Sequence, residues 1–202
     1  MNKSTLTVSE RAFESFLKMN QLKFERIETG AEPTPDYIVE LGSQKVVFEL
    51  KEIASNEDNT FRHLKVHSKT IGQKARDAIR GASKQLRWAD KRSLPAVLLV
   101  MDASFPSMGF HLEDNDFRDA MYGELTLTLG LSSKKILDQF NGQNETLTNG
   151  TRTHISALAR ILVRKVHHEI TIFPNIFAST PLHLEKLPNC LAVRQFEIEG
   201  QQ

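Results

Sequence analysis

The run Ala96-Val97-Leu98-Leu99-Val100-Met101 constrains this chain more than any other stretch. It offers no polar side to water and is far too short to span a bilayer. Set between Pro95 and Asp102, it reads as a strand buried on both faces, so its sheet needs cover on each side. One cover lies just upstream. Ile71–Trp88 spaces Ala75, Ala78, Ile79, Ala82 and Leu86 as the apolar stripe of a helix, with Gly81 a small cost. A strand, this helix and then a buried strand read as a crossover within one sheet. With 202 residues, enough for a real core, the expectation is a single α/β domain over residues 1–202, a mixed central β-sheet flanked by helices.

The N-terminal elements lead into that crossover. Ser9 reads as the N-cap of a helix through about Met19, with Phe13, Phe16 and Leu17 as its stripe. Glu10 and Glu14, four apart, share a face of it. Leu22–Ile27 reads as a strand, and Glu32-Pro33-Thr34-Pro35 breaks regular structure. Tyr37–Leu41 and Lys45–Leu50 are β-rich runs joined by Gly42-Ser43, a hairpin signal. Ala54–Asn59 reads as a loop. Past Asp102 the expected order is a helix at Asn115–Met121, an extended run at Glu124–Leu129 and a loop at Gln139–Thr153. A helix at Ile155–Leu162, a strand at Glu169–Phe173 and a last strand at Leu191–Ile198 follow.

The net charge of +1 hides a strong layout. Acids dominate from Glu25 to Asp58, and cations dominate from Arg62 to Arg92. Lys74, Arg76, Arg80, Lys84 and Arg87 fall on the basic helix, where they suit contact with nucleic-acid phosphates or, more plainly, form a solvated face. Cys190 is the single cysteine, so neither an intramolecular disulfide nor a cysteine zinc cluster can form. No run spans a membrane, and Met1–Thr5 leads straight into a polar helix pattern, so the expected setting is reducing and cytoplasmic.

In a strand, residues two apart point the same way. Glu49 and Lys51 therefore share one face with Val47, while Val46, Phe48 and Leu50 take the other. A hairpin partner that begins at Asp36 can set a second carboxylate beside Glu49. Two carboxylates make an oxygen-rich site suited to Mg²⁺ or Mn²⁺. Lys51 adds a cation to face developing charge on a phosphate. The plainer reading is a same-face ion pair on an exposed strand next to a Pro-Asp turn, worth under about 1 kcal/mol. Against it stands the apolar setting of Phe48-Glu49-Leu50, where an unpaired charge would be costly.

Ser9-Glu10-Arg11, Pro35-Asp36-Tyr37-Ile38 and Phe48-Glu49-Leu50-Lys51 together resemble the PD-(D/E)XK nuclease superfamily. The resemblance implies a restriction endonuclease-like core over about residues 5–103 and a C-terminal extension over about 104–202. By it, Asp36 and Glu49 ligate the metal, Lys51 is catalytic, and Glu10 completes the set from the helix, with Glu14 its rival one turn away. Gln85 is the nearest match to a glutamine on the following helix; the tyrosine that some subfamilies carry four residues later is Ala89 here. The implied activity is Mg²⁺- or Mn²⁺-dependent hydrolysis of phosphodiester bonds, in DNA, with a homodimer if both strands are cut. The alternative is a nuclease-fold protein that binds nucleic acid or a protein partner without cutting.

Other candidates carry less. His63 and His67 lack the glutamate of a zinc-protease motif. His167-His168 read as structural, and His154 with Ser156 has no supporting nucleophile motif. Arg160, Arg164 and Lys165 form a second basic cluster, equally a solvated helix face.

Overall fold

A computed structural model describes residues 6–28, 30–53, 70–103, 112–164 and 167–198. The expected loop at Ala54–Asn59, together with His63, His67 and Lys165, lies outside them.

Helix α1, Val8–Met19, is followed by β1, Phe24–Arg26, and by the hairpin of β2, Tyr37–Leu41, and β3, Gln44–Ile53. Helix α2, Gln73–Asp90, leads to β4, Ala96–Asp102, and α3, Asp114–Tyr122, to β5, Glu124–Gly130, and β6, Lys135–Gln143. Then come β7, Ala157–Val163, β8, His168–Pro174, a 3₁₀ turn at Leu184–Lys186, and β9, Leu191–Val193. Seven strands form one mixed sheet in the order β1-β2-β3-β4-β7-β8-β9. β3, β4 and β7 run parallel at its centre, and β1–β2, β2–β3 and β7–β8 are antiparallel. The expected α/β architecture holds.

Alternation along the central strands sends side chains to two cores. Val46, Phe48, Leu50, Val97 and Leu99 pack with Ala12, Phe13, Phe16 and Leu17 of α1. Val47, Ala96, Leu98 and Val100 pack with Ala75, Ile79, Ala82 and Leu86 of α2, joined by Phe117 and Met121 of α3. The sheet curls enough for Gln44, at the start of β3, to exchange two hydrogen bonds with the backbone of His183, at 2.8 and 3.1 Å. The two-residue turn between β2 and β3 needs Gly42: its φ is +61°, and a Cβ there would collide with the carbonyl oxygen of Lys186.

β5 and β6 stand outside this sheet as a separate two-stranded ribbon. Leu125, Leu127, Leu129, Ile136 and Leu137 are exposed along it, and Leu131 at its tip is 94% exposed.

Three expectations fail on tertiary context. Ile155–Leu162 is not a helix: Ala157–Val163 is a strand wedged between β4 and β8. Its alanines favour helix intrinsically, but Ala157, Leu158, Ala159 and Ile161 are buried in the two cores, and pairing with β4 and β8 prevails over propensity. The Gln139–Thr153 loop begins later, because β6 continues to Gln143. The last strand stops at Val193, after which Phe196 and Ile198 pack on the core beneath α2 and α3. β7 pairs with the buried strand β4, so a single sheet spans both parts of the chain.

Candidate metal and phosphodiester site

The β2–β3 hairpin creates the site. Asp36 precedes β2, and the register pairs Tyr37 with Phe48. The backbone N–H of Asp36 donates to the carbonyl of Phe48 at 3.0 Å, and its carboxylate Oδ2 accepts the N–H of Leu50 at 2.7 Å. This clamp sets Asp36 against Glu49. Glu49 is 4% exposed on the α2 face of the sheet. Its Oε1 accepts a 2.7 Å hydrogen bond from Lys51 Nζ, two residues on along the same face. Its Oε2 is buried without a donor. Asp36 lies close enough for a hydrogen bond between the two side chains when Glu49 keeps its proton; with both ionised they have none to share.

Electrostatics follow from that geometry. Burial, with the nearby Asp36 charge, pushes the Glu49 carboxyl up to about 7, against the pull of Lys51. Burial also raises Asp36, opposed by the Leu50 N–H and reinforced by the charge of Glu10. A buried pair of acids, one holding its proton near neutrality and one oxygen lacking a donor, has the donor chemistry of a hard divalent cation that keeps part of its water shell. Among the described residues, no third acid or histidine joins them in a ligand cluster.

The helix acids sit differently. Thr7, not Ser9, caps α1, and Glu10 completes a capping box, its Oε2 accepting the Thr7 N–H at 2.6 Å. Glu10 Oε1 accepts from Arg26 at 2.9 Å. Glu14 binds Lys18 and Arg26, both at 2.9 Å, and accepts from the Tyr37 hydroxyl at 3.2 Å. Burial lifts the Glu14 carboxyl, but Lys18, Tyr37 and Arg26 outweigh it and hold it below the usual range. Both acids are thus bound up with Arg26. Of the two, only Glu10 bears on Asp36.

Arg26 and Tyr37 were not singled out in the sequence. They are directly paired across β1 and β2, which one-residue alternation would have placed on α1's side of the sheet. Glu52 was missed too: its Oε1 accepts the Ser9 N–H at 2.6 Å, tying the start of α1 to β3 just past Lys51.

On α2, Gln85 is half-buried, and its Oε1 has no donor. Lys74, Arg80, Lys84 and Arg87 are exposed along the outer side of the helix. Arg76 leaves that basic set. It is 1% exposed beneath α3, and its guanidinium donates to the carbonyls of Ile71 and Asp119 and pairs with Glu124 at 3.4 Å. Four other residues also find structural work. Arg160 donates to the Leu112 carbonyl and pairs with Asp114, and Arg164 and His167 pair with Glu169. His154 docks on Ser83 of α2, at 3.0 Å to its carbonyl.

No helix among the described residues is long and apolar enough to cross a membrane. No protein-family model, no curated protein and no solved structure matches this chain.

Proposed function

We propose that this protein is a divalent-metal-dependent nuclease that hydrolyses phosphodiester bonds, acting on DNA. The observation that carries the reading is Glu49: a buried acid pressed against Asp36, with one oxygen lacking a donor and Lys51 on the other. The order of elements supports it: a helix, three antiparallel strands, a helix and a parallel strand, with Asp36 opposite Glu49 in the hairpin, agree with what the resemblance to PD-(D/E)XK nucleases leads one to expect.

Asp36 and Glu49 would hold Mg²⁺ or Mn²⁺, which supplies a water of lowered pKa and neutralises charge on the scissile phosphate. Asp36 is pre-oriented by the Leu50 N–H. Glu49 would hold the cation as the carboxylate, so its proton and the cation would compete for the site. Lys51, part-exposed beside them, aims its ammonium at the charge that grows on the phosphoryl oxygens. Glu10 does not join them: its negative charge disfavours the ionised Asp36, and Thr7 and Arg26 engage its own oxygens. A homodimer would bring two such sites to opposite strands of a duplex.

A second reading has its own support. Glu10 is engaged by Thr7 and Arg26, and among the described residues the carboxylate set stops at two, as in a nuclease-fold protein that binds without cutting. Incubation with single-stranded, duplex and branched DNA plus Mg²⁺ or Mn²⁺, with Lys51→Ala as control, decides between them. Products from the wild type alone support the nuclease. An uncut substrate, with no heat of Mn²⁺ binding in calorimetry, favours the binding module.

A further inference from the structure

A second group of charged residues lies across α2 from the hairpin elements, and it mixes the two parts of the chain. Arg80, Lys84 and Arg87 recur at helical spacing on the outer side of α2. Arg152 reaches the same place from the loop after β6. His154, two residues on, anchors that loop by its contact with the Ser83 carbonyl of α2. The neighbouring charges of Arg80 and Arg87 bear directly on Arg152, together with its burial, and weaken its hold on its proton.

Three features of Arg152 go beyond a solvated basic face. Its backbone is held at φ +53°, a conformation a branched-free side chain adopts only at a cost. Its Nη1 donates to the Thr146 carbonyl at 3.1 Å, which fixes the guanidinium, while its Nε is buried and has no acceptor. No carboxylate pairs with Arg152 or Arg87 among the described residues; Asp77 touches Arg80 at 3.5 Å on the exposed side of the helix, and the charge of Asp90 is felt at His154 beside them. Cations crowded in this way repel one another, and an anion that sits between them relieves the repulsion. The planar fork of arginine matches the oxygens of a phosphate in particular.

We propose that Arg80, Arg87 and Arg152 form a seat for successive phosphates of a nucleic-acid backbone, with Lys84 at its edge. The identity of the ligand rests on the nuclease reading above; the seat itself needs neither metal nor cleavage. It assigns the otherwise unexplained 144–155 loop a role: it carries an arginine onto α2. Because each contact is to phosphate, it would position the strand without reading bases.

The test is binding in the presence of a chelator, so that cutting cannot interfere. Fluorescein-labelled single-stranded DNA, duplex DNA and matching RNA are titrated with the full chain at a series of salt concentrations, by anisotropy. Each seat arginine neutralises about one phosphate, so Arg152→Gln and Arg87→Gln should each lower the salt-dependence slope by about one and weaken binding about three-fold or more at moderate salt. Lys23→Gln, at an exposed lysine on the far edge of the sheet, serves as control and should change neither. Arg87 is exposed on a helix, so its variant keeps the test sound even if Arg152→Gln folds poorly. Wild-type slopes in Arg87→Gln, or no salt-dependent binding to any of the three probes, would overturn the proposal. Binding that behaves as expected in a chain that never cuts would overturn the nuclease reading alone.

Discussion

Arg26 and Lys51 each bring a cation to acids at the same end of the sheet, yet the two groups are finished to different degrees. On the α1 face, Arg26 bridges Glu10 and Glu14, stacks against the Tyr37 ring and meets its hydroxyl at 2.8 Å. Glu14 takes a further cation from Lys18, and Glu10 also caps its helix. On the opposite face, Lys51 reaches only one oxygen of Glu49, the other is buried without a donor, and Asp36 adds a like charge. A completed network holds a fold together. An incomplete one is a cost the native state bears, and sites that bind something are where such costs collect. Composition would rank the two groups alike; satisfaction separates them.

The sharpest way to break this contrast is to remove each cation in turn. Lys51→Ala and Asp36→Ala should lower cleavage by about a hundred-fold or more with the far-ultraviolet circular dichroism unchanged. Wild-type turnover in either purified variant would put that residue outside the chemistry. Next in size is Glu49→Gln. The folded-state value of Glu49, about 7, lies above its ordinary 4.5, so the wild type is best off below 4.5 and loses stability as pH rises to 7. Relative to wild type, Glu49→Gln should therefore gain on the order of 3 kcal/mol between pH 4 and pH 8 in urea unfolding with a chelator present. A flat difference across that range would mean that Glu49 is an ordinary carboxylate. By the same sign, wild-type affinity for Mn²⁺ should climb as pH passes 7, because the proton and the cation compete for one oxygen.

Arg26→Ala should do the reverse of Lys51→Ala. It strands two acids and a phenol, so a stability loss of about 1–2 kcal/mol is expected, with cleavage per folded molecule reduced far less. If cleavage falls as steeply as in Lys51→Ala, the two networks are one site and the contrast collapses. Glu14→Gln is the mildest change. Its lowered value means that its contribution is present above the ordinary 4.5 and fades as pH falls below it. The expected cost near neutrality is under about 1 kcal/mol, vanishing in acid, as thermal unfolding at the two pH values would show.

The sequence carried the hairpin well, since alternation over Tyr37–Leu41 and the Gly42-Ser43 turn set its register, and the register alone put Asp36 beside Glu49. The buried strand and the α2 stripe were legible for the same reason: periodicity is local. What stayed hidden was partnership at long range. Nothing around Arg76 says that α3 will cover it and offer it the Asp119 carbonyl, and it looked like its exposed neighbours Arg80 and Lys84. Nothing around Glu10 says that Arg26 will claim one of its oxygens, although Thr7-x-x-Glu10 is a local capping-box pattern that accounts for the other. The strand at Ala157–Val163 was unreadable because its alanines speak for a helix until β4 and β8 are on either side.

That strand has a consequence for how the chain must be made. β4 is apolar and central, and Val97 waits for Ala157 to cover its open edge. A ribosome would expose that edge while the intervening α3 and the β5–β6 ribbon are still being synthesised, so the nascent protein passes through a stage at which it can pair with the wrong strand. A gene cut after residue 103 would arrest every molecule at that stage, and such fragments should aggregate even though they hold Asp36, Glu49 and Lys51.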